Sequence, residues 1–288
     1  MTETQQGTGN RPACFIDAPT RTVTAAGATF VYREFGSHDG GVPLVAMTHL
    51  GANLDSWDPE LVDPFAQHRR VILLGYRGVG ASTGTVRDQF EDMAADVIAP
   101  IHALGLSRVD LFGLSMGGMV AQEILRQAPD LVERVILAGT GPQGGPGLTA
   151  MTGVTVRTIL RGLVTFTNPT TLLFFTRTPA GRQAAKTYQA RLNLRRTGRD
   201  KPVTPGVFHA QLRAVNRWGH QTPPATSFRG PMLILHGDRD LMVPISNADA
   251  LLDRYPDADV RVFADSGHGT VFQNRRSVTD TATRFLQR

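Results

Sequence analysis

Three stretches hold side chains able to do chemistry on a carbonyl group. DLFGLSMGGMV (110–120) sets Ser115 between Gly113 and Gly117, directly behind a short apolar run. HGDRDLMVP (236–244) offers Asp238 and Asp240 in a turn, and FADSGHGTVF (263–272) offers His268 in a loop of small residues. A serine hydroxyl is too weak an acid to attack a carbonyl unaided near neutral pH. It needs a base within hydrogen-bond reach and a position that substrate can approach. A sharp turn from strand into helix supplies that position, and Gly113 and Gly117 let the backbone fold tightly and bring the helix close. The helix N-terminus favours developing negative charge, and the amide after the serine, that of Met116, points toward it. The competing reading makes Ser115 a cap on the helix that starts at Met116. A cap does not require the other two stretches. The order Ser, Asp, His, each just past an apolar run, suits a nucleophile, an orienting acid and a base.

Those residues must be carried by elements that converge. VPLVAMTHL (42–50), RVILLGY (70–76), RVDLFG (108–113), RVILAGT (134–140), PMLILHG (231–237) and DVRVFADSG (259–267) are continuous apolar runs, as expected of strands covered on both faces. Helix-like stretches at 89–105, 117–129 and 245–256, and a final helix, alternate with them. The pattern predicts an α/β fold, a mainly parallel twisted sheet flanked by helices, with a leading antiparallel hairpin at 22–36. Ligand sites in such sheets lie at the C-terminal ends of the strands, where the three stretches fall. The alternation breaks between GPQGGPG and QTPPATSFRGP, and the interior there reads as three helices at 148–164, 176–196 and 206–219. The expected organisation is therefore a polar, disordered N-terminus (1–12), a core domain (13–142 and 229–288) and a helical lid insertion (143–228).

Composition narrows the setting. The chain has 288 residues, 19% of them charged, and a formal charge of +5. Between Gln143 and Gly230 thirteen Lys and Arg residues face one acid, Asp200, so the rest of the chain is net acidic. Helix faces attracted to that acidic remainder are the expected explanation, ahead of a pocket for anionic substrates. The basic residues come without a recognisable nucleic-acid-binding module, so no nucleic acid partner is expected. Cys14, the single cysteine, can make neither an intrachain disulfide nor a cysteine-based metal site. With no signal-like N-terminus and no apolar run near the ~20 residues that span a bilayer, a cytoplasmic protein with no membrane partner is expected. The apolar run at 163–175 is expected to pack over the pocket rather than face outward.

GLSMGG, HGDRDLMVP and GHG together resemble the α/β-hydrolase-fold serine hydrolases, esterase- or lactonase-like, and the likeness runs from the leading hairpin to the last helix. The resemblance implies a nucleophile at Ser115, a base at His268, and Asp240 as the orienting acid, with Asp238 a turn former. It also implies a second oxyanion donor in MTHLGANLDSWDP. Aligned on Trp57, that donor is the Leu50 amide; aligned on the histidine, it is Gly51. On the preferred alignment His49 packs the loop. GYRGVGAST (75–83) is similar to a family turn in which Gly75 replaces the usual aspartate and Arg77 ties loops together. Trp57 and Trp218 are candidate pocket-lining residues, with packing between lid and core as the alternative. The implied activity is hydrolysis of a small ester or related acyl compound through an acyl-enzyme, without cofactor or metal. Enol-lactone hydrolysis, carbon–carbon bond hydrolysis, perhydrolysis and non-catalytic ligand binding stay open as alternatives. A serine at 115 argues against the carboxylate-nucleophile dehalogenases and epoxide hydrolases.

Overall fold

The computed structural model describes residues 14–37 and 41–288. The expected disordered stretch at 1–12 lies outside the described residues. The chain opens with the antiparallel pair β1 (Thr20–Ala25) and β2 (Ala28–Gly36). Its two turn residues, Ala26 and Gly27, have φ of 46° and 72°, the left-handed sense that matches the twist of paired strands. There follow β3 (Leu44–Met47), α1 (Pro59–Ala66), β4 (Arg70–Leu74), α2 (Phe90–Ala103), β5 (Val109–Leu114), α3 (Met116–Gln127) and β6 (Val132–Ala138). Four helices come next: α4 (Met151–Thr165), α5 (Pro169–Phe174), α6 (Pro179–Leu192) and α7 (Pro205–His220). The chain closes with β7 (Met232–Gly237), α8 (Ser246–Arg254), β8 (Asp259–Phe263), α9 (Thr270–Gln273) and α10 (Arg275–Leu286).

The eight strands form one sheet in the order β1-β2-β4-β3-β5-β6-β7-β8, parallel from β4 to β8. β3, β5 and β7 are buried along their whole length, which is why their sequences run apolar without alternation. β8 is an edge strand with Arg261 and Val262 exposed, which corrects the expectation that its run is covered on both faces. The segments that follow β3, β5, β7 and β8 therefore emerge at one edge of the sheet and carry Leu50, Ser115, Asp240 and His268. The fold is that of a mainly parallel α/β sheet flanked by helices, with helices inserted between β6 and β7.

The inserted helices are tied down by charge. Arg191 of α6 grips Asp58 with Nε at 2.8 Å from one oxygen and a terminal nitrogen at 2.6 Å from the other. Asp58 also caps α1 by accepting from the Glu60 amide. Arg195 and Arg199 reach Asp55, while Arg213 and Arg217 reach Asp88. Cations of the insertion thus find acids of the sheet domain. Because Asp58 is fully buried, Arg191→Ala strands a carboxylate in the interior, and unfolding by denaturant should show a loss of about 3–5 kcal/mol. Replacing both partners with apolar residues should cost clearly less.

The 163–175 run divides. Leu173, Phe174 and Phe175 are buried, but Leu163, Val164 and Phe166 are exposed, which corrects the expectation that the whole run packs inward. Phe166 ends α4 with φ 51° and ψ 33°. That left-handed residue turns the chain back, so the last turn of α4 stays outside while α5 runs in over the sheet.

Candidate active site

Ser115 stands between β5 and α3 with φ 54° and ψ −114°, a conformation that L-residues avoid. The turn is tight because two glycines allow it. A Cβ on Gly113 would lie 2.6 Å from the Gly117 carbonyl oxygen, and one on Gly117 would lie 2.2 Å from that of Met47. α3 therefore packs directly on the ends of β3 and β5. Its side chain makes no capping bond to α3, so the helix-cap reading of Ser115 does not hold. The hydroxyl instead lies 2.8 Å from Nε2 of His268.

His268 Nδ1 lies 2.7 Å from Oδ2 of Asp240. An ionised carboxylate only accepts, so Nδ1 carries the proton and Nε2 presents its lone pair to the serine. The other Asp240 oxygen, Oδ1, accepts from the amides of Met242 and Val243 at 2.8 and 2.9 Å. These bonds fix the carboxylate's rotation. Asp238 points elsewhere, accepting from the Ser266 amide at 3.0 Å and bracing the loop before the histidine. His236, buried under the acid, donates from Nε2 to the Val243 carbonyl, and burial pushes its pKa down. Ser115, Asp240 and His268 are all buried.

The loop after β3 is clamped from three sides. Tyr76 donates its hydroxyl to the Thr48 carbonyl at 3.1 Å, and His49 donates from Nδ1 to the Leu50 carbonyl at 2.9 Å. The Gly51 amide donates to Oε1 of Gln211 on α7 at 2.8 Å. The Gly51 amide is thus engaged, while the amide of Met116, first residue of α3, has no intrahelical acceptor by position. His49 packs the loop and also sits edge-on to Phe174, at 4.9 Å between ring centroids. Burial lowers its pKa to about 4, so the ring is neutral at physiological pH. Folded His49 binds its proton less readily than an unfolded histidine, so its contribution to stability is full above pH 6.5 and is lost as pH falls toward 4. The interval corresponds to roughly 3 kcal/mol. Denaturant unfolding between pH 4 and 7 should therefore give a shallower acid slope for His49→Gln than for the wild type.

Phe174 belongs to the part of the 163–175 run that packs inward, but its contact with the histidine loop is not legible in sequence. Its ring meets His268 edge-on at 5.4 Å and stacks on Phe272, and its carbonyl accepts from the Gly269 amide at 2.9 Å. Thr176 and Thr178 add hydroxyl bonds to Asp265. The inserted segment thereby braces the loop that holds the histidine. The only local signal was the apolar run LLFF beside two threonines. Trp57 and Trp218 are fully buried. Trp57 lies edge-on to Phe112, while Trp218 donates to the Gly141 carbonyl and lies edge-on to Phe90. Among the described residues neither makes a hydrogen bond or ring contact with Ser115 or His268. Arg77 grips Asp96 and the Ala26 carbonyl. Gly75 sits where a Cβ would meet Val31 at 3.0 Å, so an aspartate there would be crowded. Ser82 accepts from the Val31 amide in that space.

Comparison with known proteins agrees with this fold. A family model described as alpha/beta hydrolase fold matches residues 43–274. A Haemophilus influenzae protein with the provisional name esterase/lipase is 26% identical over 237 residues, 78% of this chain and 76% of that protein. The 2-hydroxymuconate semialdehyde hydrolase of a Pseudomonas species is 27% identical over 284 residues, 92% of this chain and 93% of its own. Among solved structures, an alpha/beta hydrolase fold protein from Chitinophaga pinensis superposes with a TM-score of 0.89 at 29% identity, covering 95% of this chain and 98% of the other. The chain belongs to the alpha/beta hydrolase fold family.

Proposed function

We propose that the protein is a serine hydrolase that cleaves a carboxylic ester through an acyl-enzyme on Ser115. The observation that carries this reading is the unbroken hydrogen-bond line from Ser115 Oγ through His268 to Asp240, at 2.8 and 2.7 Å. As Oγ bonds to the carbonyl carbon, its proton passes to Nε2, and the carbonyl electron pair moves onto oxygen. The amides of Met116 and Leu50 receive that oxyanion; Leu50 is preferred because Gln211 holds the Gly51 amide. Asp240 orients the imidazolium and offsets its charge. Nε2 then hands the proton to the departing alcohol as the carbon–oxygen bond breaks. Water, deprotonated by the same nitrogen, attacks the acyl group and restores the serine. Residues 143–228 act as the lid on a core of 13–142 and 229–288.

The name of the Haemophilus relative supports an ester substrate. The Pseudomonas relative, matched over nearly its full length, favours a second reading, hydrolysis of a carbon–carbon bond on the same three residues. A panel of p-nitrophenyl esters of rising acyl length, simple lactones and 2-hydroxymuconate semialdehyde separates them. Turnover of esters that fails in Ser115→Ala supports the first reading. Turnover of the semialdehyde alone would replace it with the second.

A further inference from the structure

We infer that the outer face of α4 is a docking surface for an anionic phospholipid bilayer. The helix is inside out for a soluble protein. Met151, Thr155 and Gly162 face the body of the molecule, while Val156, Ile159, Leu160, Leu163 and Val164 form a stripe facing outward, and exposed Phe166 extends it. The exposure is large: 68% for Leu163, 81% for Val164 and 98% for Phe166. Positions 156, 159, 160 and 163 follow the spacing of one helical face, so the residues form a continuous strip rather than scattered exposed hydrophobes.

Charge selects the occupant. Arg157 and Arg161 are exposed along one flank of the stripe, and neither makes an ion pair among the described residues. No carboxylate occurs between Gln143 and Arg199. A second copy stacking the same face on its symmetry mate would bring four guanidinium groups together with no acid from this segment to pair them. A lipid surface with anionic headgroups accepts both parts of the helix: acyl chains take the apolar stripe and phosphates take the arginines. Among the described residues no helix is long and apolar enough to cross a membrane, so α4 lies along the surface. Three residues beyond Phe166 the chain enters α5, whose Phe174 touches His268. Docking would therefore set the cover of the candidate site at the lipid boundary.

The test is flotation of the full chain with vesicles of phosphatidylglycerol and phosphatidylcholine in equal parts, and with phosphatidylcholine alone. The wild type should float with the anionic vesicles and bind the neutral ones at least about tenfold less. Leu163→Asp with Phe166→Asp should lower the bound fraction about tenfold or more. Arg157→Gln with Arg161→Gln should lower it about tenfold on anionic vesicles only. Thermal unfolding should be unchanged in both double variants, since these side chains face solvent. No flotation on either vesicle, or equal flotation of wild type and variants, overturns the proposal. So does sedimentation velocity that shows a dimer in the wild type and a monomer in the Leu163 and Phe166 double variant, which would give the face to a second copy.

Discussion

Alanine at position 115 should lower kcat by about four to six orders of magnitude on any ester the wild type turns over. The proposed chemistry gives the hydroxyl oxygen a task that no neighbour can assume. The residual rate would come from the oxyanion amides and from substrate positioning. Stability separates this loss from misfolding. At φ 54° Ser115 holds a conformation that costs of order 1–3 kcal/mol for a residue with a side chain. Ser115→Gly should therefore be at least as stable as the wild type in denaturant unfolding while equally inactive. A variant with near-wild-type turnover would remove Ser115 from the mechanism.

Asp240→Asn should lower kcat by about four orders of magnitude with little change in fold. The acid's Oδ1 already accepts two backbone amides, from Met242 and Val243. An asparagine keeps its oxygen there and must turn its NH₂ toward His268. Nδ1 then has to accept, the ring proton moves to Nε2, and the nitrogen facing Ser115 loses the lone pair that would take the hydroxyl proton. Asp238→Asn is the internal control. Its oxygen can still accept from the Ser266 amide, so turnover should stay within a few-fold of wild type. Steady-state kinetics on the best ester of the panel measures both. A large loss at 238 and none at 240 would reverse the assignment.

These predictions rest on features that sequence displays with different clarity. Continuous apolar runs mark the buried strands β5 and β7, whose ends place Ser115 and Asp240 on one rim. β8, ahead of His268, is a partly exposed edge strand and is legible only from the alternation of strands and helices. The glycines around Ser115 are legible because a close helix–strand approach excludes a Cβ. α1 is hard to read from sequence because Pro59 and Pro64 resemble breakers; Pro59 occupies the first turn, where the missing amide hydrogen does no harm. α5 is too short for periodicity to reveal. Gln211 reaches the Gly51 amide from 160 positions away, and Phe174 braces a histidine loop more than ninety residues on. Such contacts are set by how the insertion closes on the sheet. The tryptophans are ambiguous in sequence for the same reason: an indole fits a pocket wall and a packed junction equally well, and here both are buried.

The ion pairs divide seven of the thirteen cations of the insertion into two groups. Arg191 of α6 and Arg213 and Arg217 of α7 meet acids of the segments around the sheet, and Arg195 and Arg199 of the link between the two helices do the same. Arg157 and Arg161 do not, and α4 is also the helix with the exposed apolar strip. The anchored helices carry Gln211 onto the loop after β3, where it accepts from the Gly51 amide.

Incubation with a fluorophosphonate probe, followed by peptide mapping in a mass spectrometer, tests the central claim most directly. The expected result is one adduct per chain, on Ser115, with labelling slowed by orders of magnitude in His268→Ala. An unlabelled protein, or an adduct carried by any other residue while Ser115 stays free, would contradict it.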